Sequence, residues 1–315
     1  MSLSYTAYLR NHPWMQLLLV IALVVVIYVN YMSIRPYTGM EGFQQINKFS
    51  TKFGADTYDD FYVDIYDQLH DTDNRIETHL LPILENTNVD PNAKENYKFL
   101  DVGSGTGKTV ERLRQAGYEA QGLDKSKAMI HHCEEKYEID KPDRYQCGDV
   151  CEPILYTRRT FTHILCLYLT IYEIEDKAQF FRNCYQWLQV NGILVVHFVD
   201  KDKFDTISPA VKIDNVVNIQ DYSKQRIEKS QVDFGNFQYK MEYKIRPGAD
   251  NVNVVLNEMF VDNSTKKIRQ NERIMKMEPT EHIVKLAMRA GFSVYAKIIM
   301  RNDKNQFLYF FLRDA

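Results

Sequence analysis

Three glycines at alternate positions, Gly103, Gly105 and Gly107, follow Asp101 in the stretch DVGSGTGKT at residues 101–109. Glycines so placed let the backbone approach a ligand closely and offer amide N–H groups at a helix start, which suits a phosphate or a carboxylate. A phosphate cradle of the GxxxxGK[ST] kind needs glycine at position 102, which is Val102, and a GxGxxG loop counted from Gly103 needs glycine at 108, which is Lys108. Both of those chemistries therefore fail on spacing. A ligand with an adenosine and an amino-acid tail uses every part of what remains. Asp101 is expected near the tail's ammonium group, and the amides of Gly103, Ser104, Gly105, Thr106 and Gly107 are expected to face its carboxylate.

The elements around this loop alternate. YKFLDV reads as a strand, TVERLRQA as a helix stopped by Gly117, EAQGLD as a strand, SKAMIHHCEEKY as a helix and RYQCGDV as a strand. THILCLYL follows as a buried strand, KAQFFRNCYQWL as a helix and GILVVHFVD as another buried strand. Such alternation predicts a doubly wound α/β fold, with parallel strands covered on both faces. Residues 201–278 switch to period-two segments, which predicts a late antiparallel β insertion on the substrate side. A helix at PTEHIVKLAMRAG and a terminal strand pair, the last strand antiparallel, close the chain. Upstream, DTYDDFYVDIYDQLHD is helical in pattern, with Tyr58, Tyr62 and Tyr66 along one stripe, and a second helix is expected over about Asn74 to Leu84.

The chain has 315 residues, of which 45% are hydrophobic and 26% charged, a globular composition. With 39 basic against 42 acidic residues and no basic block, nucleic-acid binding is disfavoured. The five cysteines, Cys133, Cys147, Cys151, Cys166 and Cys184, contain no CxxC pair and no zinc-like His spacing, so free thiols and no metal site are expected.

FLDVGSGTG, then GLD at 122–124, CGDV at 147–150 and VNGILVV at 190–196, resembles the class I S-adenosylmethionine-dependent methyltransferase family from about Tyr58 to the C-terminus. The resemblance implies a Rossmann-like methyltransferase sheet over residues 58–315 and S-adenosylmethionine as cofactor. It implies that Gly103, Gly105 and Gly107 shape the cofactor loop, that Asp124 binds the ribose hydroxyls, and that Asp149 accepts from the adenine amino group beside the Val150 backbone. The plainer alternatives are a helix N-cap for Asp124 and a turn residue for Asp149. Two departures stand out. The fourth strand begins Phe161-Thr162-His163 rather than Phe-Asp, and CLYLTIYEI carries no Asn/Asp-Pro-Pro-Tyr/Phe motif, which counts against nucleobase-amino or glutamine-amide methylation.

Methyl transfer from a sulfonium relies on alignment, and a base is needed only for a protonated or weak nucleophile. Tyr66, Tyr172, Glu173 and His197 are the candidates beside an unidentified acceptor, with core packing the plainer reading for each. A scaffold that keeps the fold without the reaction is the competing functional class.

The N-terminus differs in kind. Beyond a tail at 1–14, MQLLLVIALVVVIYVNYM at 15–32 is about 27 Å of apolar helix, enough to cross a bilayer, with Trp14, Tyr28 and Tyr31 at its borders. A single-pass membrane anchor followed by a linker at 33–57 is expected. Arg10 before the span against Arg35 and Lys48 after it favours a cytoplasmic catalytic domain. The sequon at Asn263 reads better as a hairpin turn.

Overall fold

The computed structural model describes residues 49–314 except 88, 138–142, 207–218, 247–251 and 302, together with Ile21, Ala22, Leu23 and Val25. Residues 1–39 and 40–315 are separate units. In the second unit, β2 (Lys98–Val102), β3 (Glu119–Asp124), β4 (Tyr145–Cys147), β5 (Phe161–Cys166) and β6 (Leu188–Val199) form one sheet with β11 (Phe292–Ile299) and β12 (Gln306–Arg313). Their order is β11-β12-β6-β5-β2-β3-β4. The strands pair in parallel from β4 through to β6, and β12 runs antiparallel to both β6 and β11. The apolar runs read as strands are those that the sheet buries on both faces. β5 is FTHILC with only Thr162 partly exposed, because helices lie above and below it.

The strand order reverses at β2, which has β3 on one side and β5 on the other. In open α/β sheets a crevice forms outside the carboxyl ends of the strands at such a point, and the glycine loop lies there. It leads from β2 into α3 (Lys108–Gln115). One face of the sheet packs with α2 (Thr72–Asn86) and α3 through Ile76, Leu80, Val110 and Leu113. The other packs with α1 (Asp60–His70), α6 (Lys177–Trp187) and α7 (Thr280–Arg289) through Ile65, Phe180, Phe181 and Ile283. Between β3 and β4 runs α4 (Lys127–Lys136), and the short α5 (Thr170–Glu173) follows β5.

The expected antiparallel insertion is a second sheet, β7 (Lys229–Asp233), β8 (Phe237–Ile245), β9 (Asn253–Asp262) and β10 (Ile268–Lys276). Strand β8 shows why: Phe237, Tyr239, Met241 and Tyr243 alternate inward and are buried, while Lys240 and Lys244 point out. Its far edge departs from the sequence reading. Residues 49–57, assigned to the linker, form β1 (Phe49–Phe53) and a 3₁₀ turn, and β1 pairs in parallel with β10. No alternating pattern announced it, since Phe49 and Phe53 lie on the exposed side and the pairing comes from the open edge of β10.

The expected span at 15–32 falls almost wholly outside the described residues. Ile21, Leu23 and Val25, which are described, are helical and exposed. Among the described residues no helix is long and apolar enough to cross a membrane. All five cysteines are free. Asn263 sits in the β9–β10 turn, its amide nitrogen donating to the Gly235 carbonyl at 3.0 Å.

Candidate active site

A cavity of about 840 Å³ lies between the carboxyl ends of β2, β3 and β5 and the inner face of the second sheet. That is within the usual size range of small-molecule sites. Among the glycine-loop residues, Gly103 and Gly105 line it, whereas Gly107, Ser104, Thr106 and Asp101 do not. Gly107 is there for packing: it caps α3 at φ 75°, and a side-chain carbon would meet the Tyr145 hydroxyl at 2.7 Å and Cys133 Sγ at 2.8 Å. Ser104 turns its hydroxyl towards Gly122, and Thr106 donates to Asp67 at 2.6 Å.

The loop amides correct the sequence reading. Those of Gly103 and Ser104 both donate to the Leu123 carbonyl, at 2.8 and 3.1 Å. That of Gly105 donates to Asp124 Oδ2 at 2.8 Å, and that of Gly107 to the Ser104 carbonyl at 3.0 Å. The first three stitch the loop to β3 and the fourth closes the loop on itself, so these four are taken by the protein rather than open to a ligand's carboxylate. Asp101 is buried, and burial first, then the neighbouring Asp124, pushes its carboxyl up to about 8, so it is largely protonated at pH 7.

Asp124 and Asp149 both line the cavity, as does Val150. Asp124 ends β3 and accepts the amides of Gly105 and Ser126, each at 2.8 Å, one on each oxygen. A carboxylate has about four lone-pair positions, so each oxygen keeps one. Burial raises its pKa in spite of those bonds. It is not the N-cap of α4: Ser126 is, its hydroxyl accepting the Met129 amide at 3.1 Å. Asp149 accepts the Cys151 amide and Lys125 Nζ, both at 2.9 Å, which hold its carboxyl below the usual range against its partial burial.

Of the acceptor-side candidates, Tyr66 on α1 faces the loop. A side-chain carbon on Gly105 would lie 3.6 Å from its ring. Tyr172 and His197 also border the cavity, and each makes a hydrogen bond to the backbone. The Tyr172 hydroxyl accepts the Val199 amide at 2.9 Å and donates to the Val199 carbonyl at 3.3 Å, tying α5 to β6. His197 is 2% exposed with Nδ1 2.8 Å from the Tyr168 carbonyl, so that nitrogen carries its proton. Burial and the nearby Arg75 bring its pKa down to about 4, leaving a neutral ring packed edge-on to His79 at 4.9 Å.

Two arginines that no sequence motif flags complete the site. Arg75 of α2 lies over the Tyr168 ring, its guanidinium carbon 3.9 Å from the ring centre, and lines the cavity. Among the described residues its guanidinium makes no hydrogen bond or ion pair. Arg273 of β10 is the hub of a polar cluster: it pairs with the buried Glu258 at 3.1 Å and with Glu173 at 3.3 Å. It also donates to the hydroxyls of Tyr58 and Tyr62. Tyr58 donates to both Glu173 oxygens, at 2.7 and 2.9 Å, and Tyr62 and Tyr239 both donate to Glu258 Oε1, at 3.0 and 2.9 Å. The tyrosine stripe at 58, 62 and 66 and the candidate Glu173 were the signals pointing here. No group of three metal-ligating side chains occurs among the described residues.

Residues 100–196 match the family described as "Methyltransferase domain". A phosphoethanolamine N-methyltransferase of Plasmodium falciparum (isolate 3D7) is 22% identical over 162 residues, 49% of this chain and 58% of that enzyme, so the chain matches little more than half of its length. An S-adenosylmethionine-dependent methyltransferase from Clostridium acetobutylicum ATCC 824 superposes with a TM-score of 0.60 at 17% identity, over 81% of this chain and 98% of that one. The S-adenosylmethionine-bound amino pentose methyltransferase CalS10 from Micromonospora echinaspora, involved in calicheamicin biosynthesis, gives 0.52 at 17% identity, over 80% and 96%. The glycine loop at the switch point, the two carboxylates beyond it and these likenesses agree: residues 100–196 are a methyltransferase domain, and the chain has the fold of S-adenosylmethionine-dependent methyltransferases.

Proposed function

We propose that the protein methylates a small molecule held between its two sheets, from a domain tethered to a membrane by residues 15–32. The observation that carries this reading is that one cavity is lined both by Gly103, Gly105, Asp124 and Asp149 and by Tyr58, Glu173 and Tyr239. The residues present fit the cofactor. Asp124, with a lone pair left on each oxygen, would hold the ribose hydroxyls, and Asp149 and the Val150 backbone would meet the adenine. Arg75, which lines the cavity, would receive the tail's carboxylate, as a guanidinium does with paired donors. Bound cofactor supplies an electrophilic methyl group on a sulfonium; the chain's own contribution is to align the acceptor and exclude water.

The tether is supported by the apolar composition of 15–32 and by the exposed helical Ile21, Leu23 and Val25. The charges flanking it favour a cytoplasmic domain.

Calorimetric titration tests the reading. S-adenosylhomocysteine should bind wild-type protein, and Asp124→Ala should weaken it at least tenfold. Arg75→Met should weaken it to the level of 5′-methylthioadenosine, which lacks the amino-acid tail, while leaving the binding of methylthioadenosine itself unchanged. No binding by wild type at millimolar ligand would leave the scaffold reading in its place.

A further inference from the structure

Resting on that reading, we propose that the acceptor is an amine, and that Glu173 is the residue that receives it. The reasoning begins with charge. Arg273 faces two carboxylates, and one of them, Glu258, has a side chain that is 0% exposed and lies 3.1 Å away. A fully buried carboxylate needs a partner, and the guanidinium is that partner. Glu173 is therefore surplus: it meets the same guanidinium at 3.3 Å, and its side chain is 30% exposed and lines the cavity. The cluster carries one net negative charge, displayed on its cavity side.

Hydrogen bonds leave room for a ligand there. Oε1 of Glu173 takes the Tyr58 hydroxyl and Arg273, while Oε2 takes only the Tyr58 hydroxyl, at 2.9 Å. Oε2 keeps a lone pair for a donor. An ammonium is the donor whose charge matches, a neutral alcohol gains less, and a carboxylate or phenolate is repelled. Glu173 is also close enough to Asp124 to raise that carboxyl's pKa, so it lies within electrostatic reach of the cofactor wall. Tyr66, which also lines the cavity, feels both Asp124 and Glu173.

The chemistry balances. The ammonium gives one proton to the Glu173 carboxylate, which passes it to water, and the freed nitrogen lone pair forms the N–C bond as the S–C bond breaks with its electrons staying on sulfur. The products are a methylated ammonium and the neutral thioether. Glu173 thus selects the acceptor by charge and removes the proton that blocks its lone pair.

The test uses full-length protein, tritiated S-adenosylmethionine and an amine-replete small-molecule extract. Acetic anhydride followed by hydroxylamine leaves the extract's amines blocked and its phenols restored. Blocking should reduce tritium incorporation at least tenfold, and the labelled product should be retained by a cation exchanger and survive alkali. Glu173→Gln should slow incorporation at least tenfold at subsaturating extract with the affinity for S-adenosylhomocysteine within twofold of wild type, and Glu173→Asp should recover part of the rate. Incorporation that persists after blocking, label released as methanol, no incorporation at all, or a fully active Glu173→Gln would overturn the assignment. Loss of S-adenosylhomocysteine binding by wild type would instead sink the function on which it rests.

Discussion

Tyr66 has charged neighbours on every side: Arg75 and Arg273 favour its ionised form and Asp124 and Glu173 oppose it, with burial taking the hydroxyl up to about 12. It stays a neutral donor at any physiological pH. Histidines behave in the opposite sense. Burial holds both His163 and His197 down to about 4, so an unfolded chain binds their protons more readily between about 4 and 6.5. Their contribution to stability is present above about pH 6.5 and is lost as the pH falls through 4. At pH 5 each should have forfeited about 2 kcal/mol relative to pH 7. Urea melts at the two pH values measure this, and His163→Gln, which removes a ring stacked on Phe99, should flatten the slope by roughly its share. An unchanged slope in that variant would refute the assignment of the effect to His163.

Among elements, β10 ties the second sheet to the first domain layer, because Arg273 reaches from it to Glu173 at the end of α5 and to Tyr58 before α1. Arg273→Met should destabilise by about 3 to 5 kcal/mol in denaturant unfolding, since it strands Glu258 as an unpaired buried charge. The double variant with Glu258→Met should regain most of the loss. Legibility in the sequence divides along the same line. Doubly wound strands and the late sheet were readable because periodicity is local, whereas Asp124 and Asp149, which line the cavity, were named through the motifs of the resembled family. Arg273 acts on partners 100 and 215 positions away, and Arg75 acts through a ring on another element, so neither had a local pattern to betray it. The loop amides were misread for a related reason: the spacing of glycines reports that a backbone turns tightly, and only the position of β3 decides which way its N–H groups point.

At the scale of the whole molecule, residues 40–315 form a unit of their own. Removing residues 1–39 should leave the melting temperature within a few degrees and the affinity for S-adenosylhomocysteine unchanged, while shifting the protein from the membrane pellet to the supernatant on fractionation. Retention of the truncated protein in the pellet would argue against a tether in that segment.

Among the described residues the second sheet shares no backbone ladder with the first; β1-β10-β9-β8-β7 and β11-β12-β6-β5-β2-β3-β4 are separate hydrogen-bonded systems. Strand slippage or residue exchange in the one does not alter the register of the other. A lineage could therefore explore new acceptors by drift in the later segment while the nucleoside clasp stays untouched, and a protein engineer could graft a foreign wall onto the same chassis.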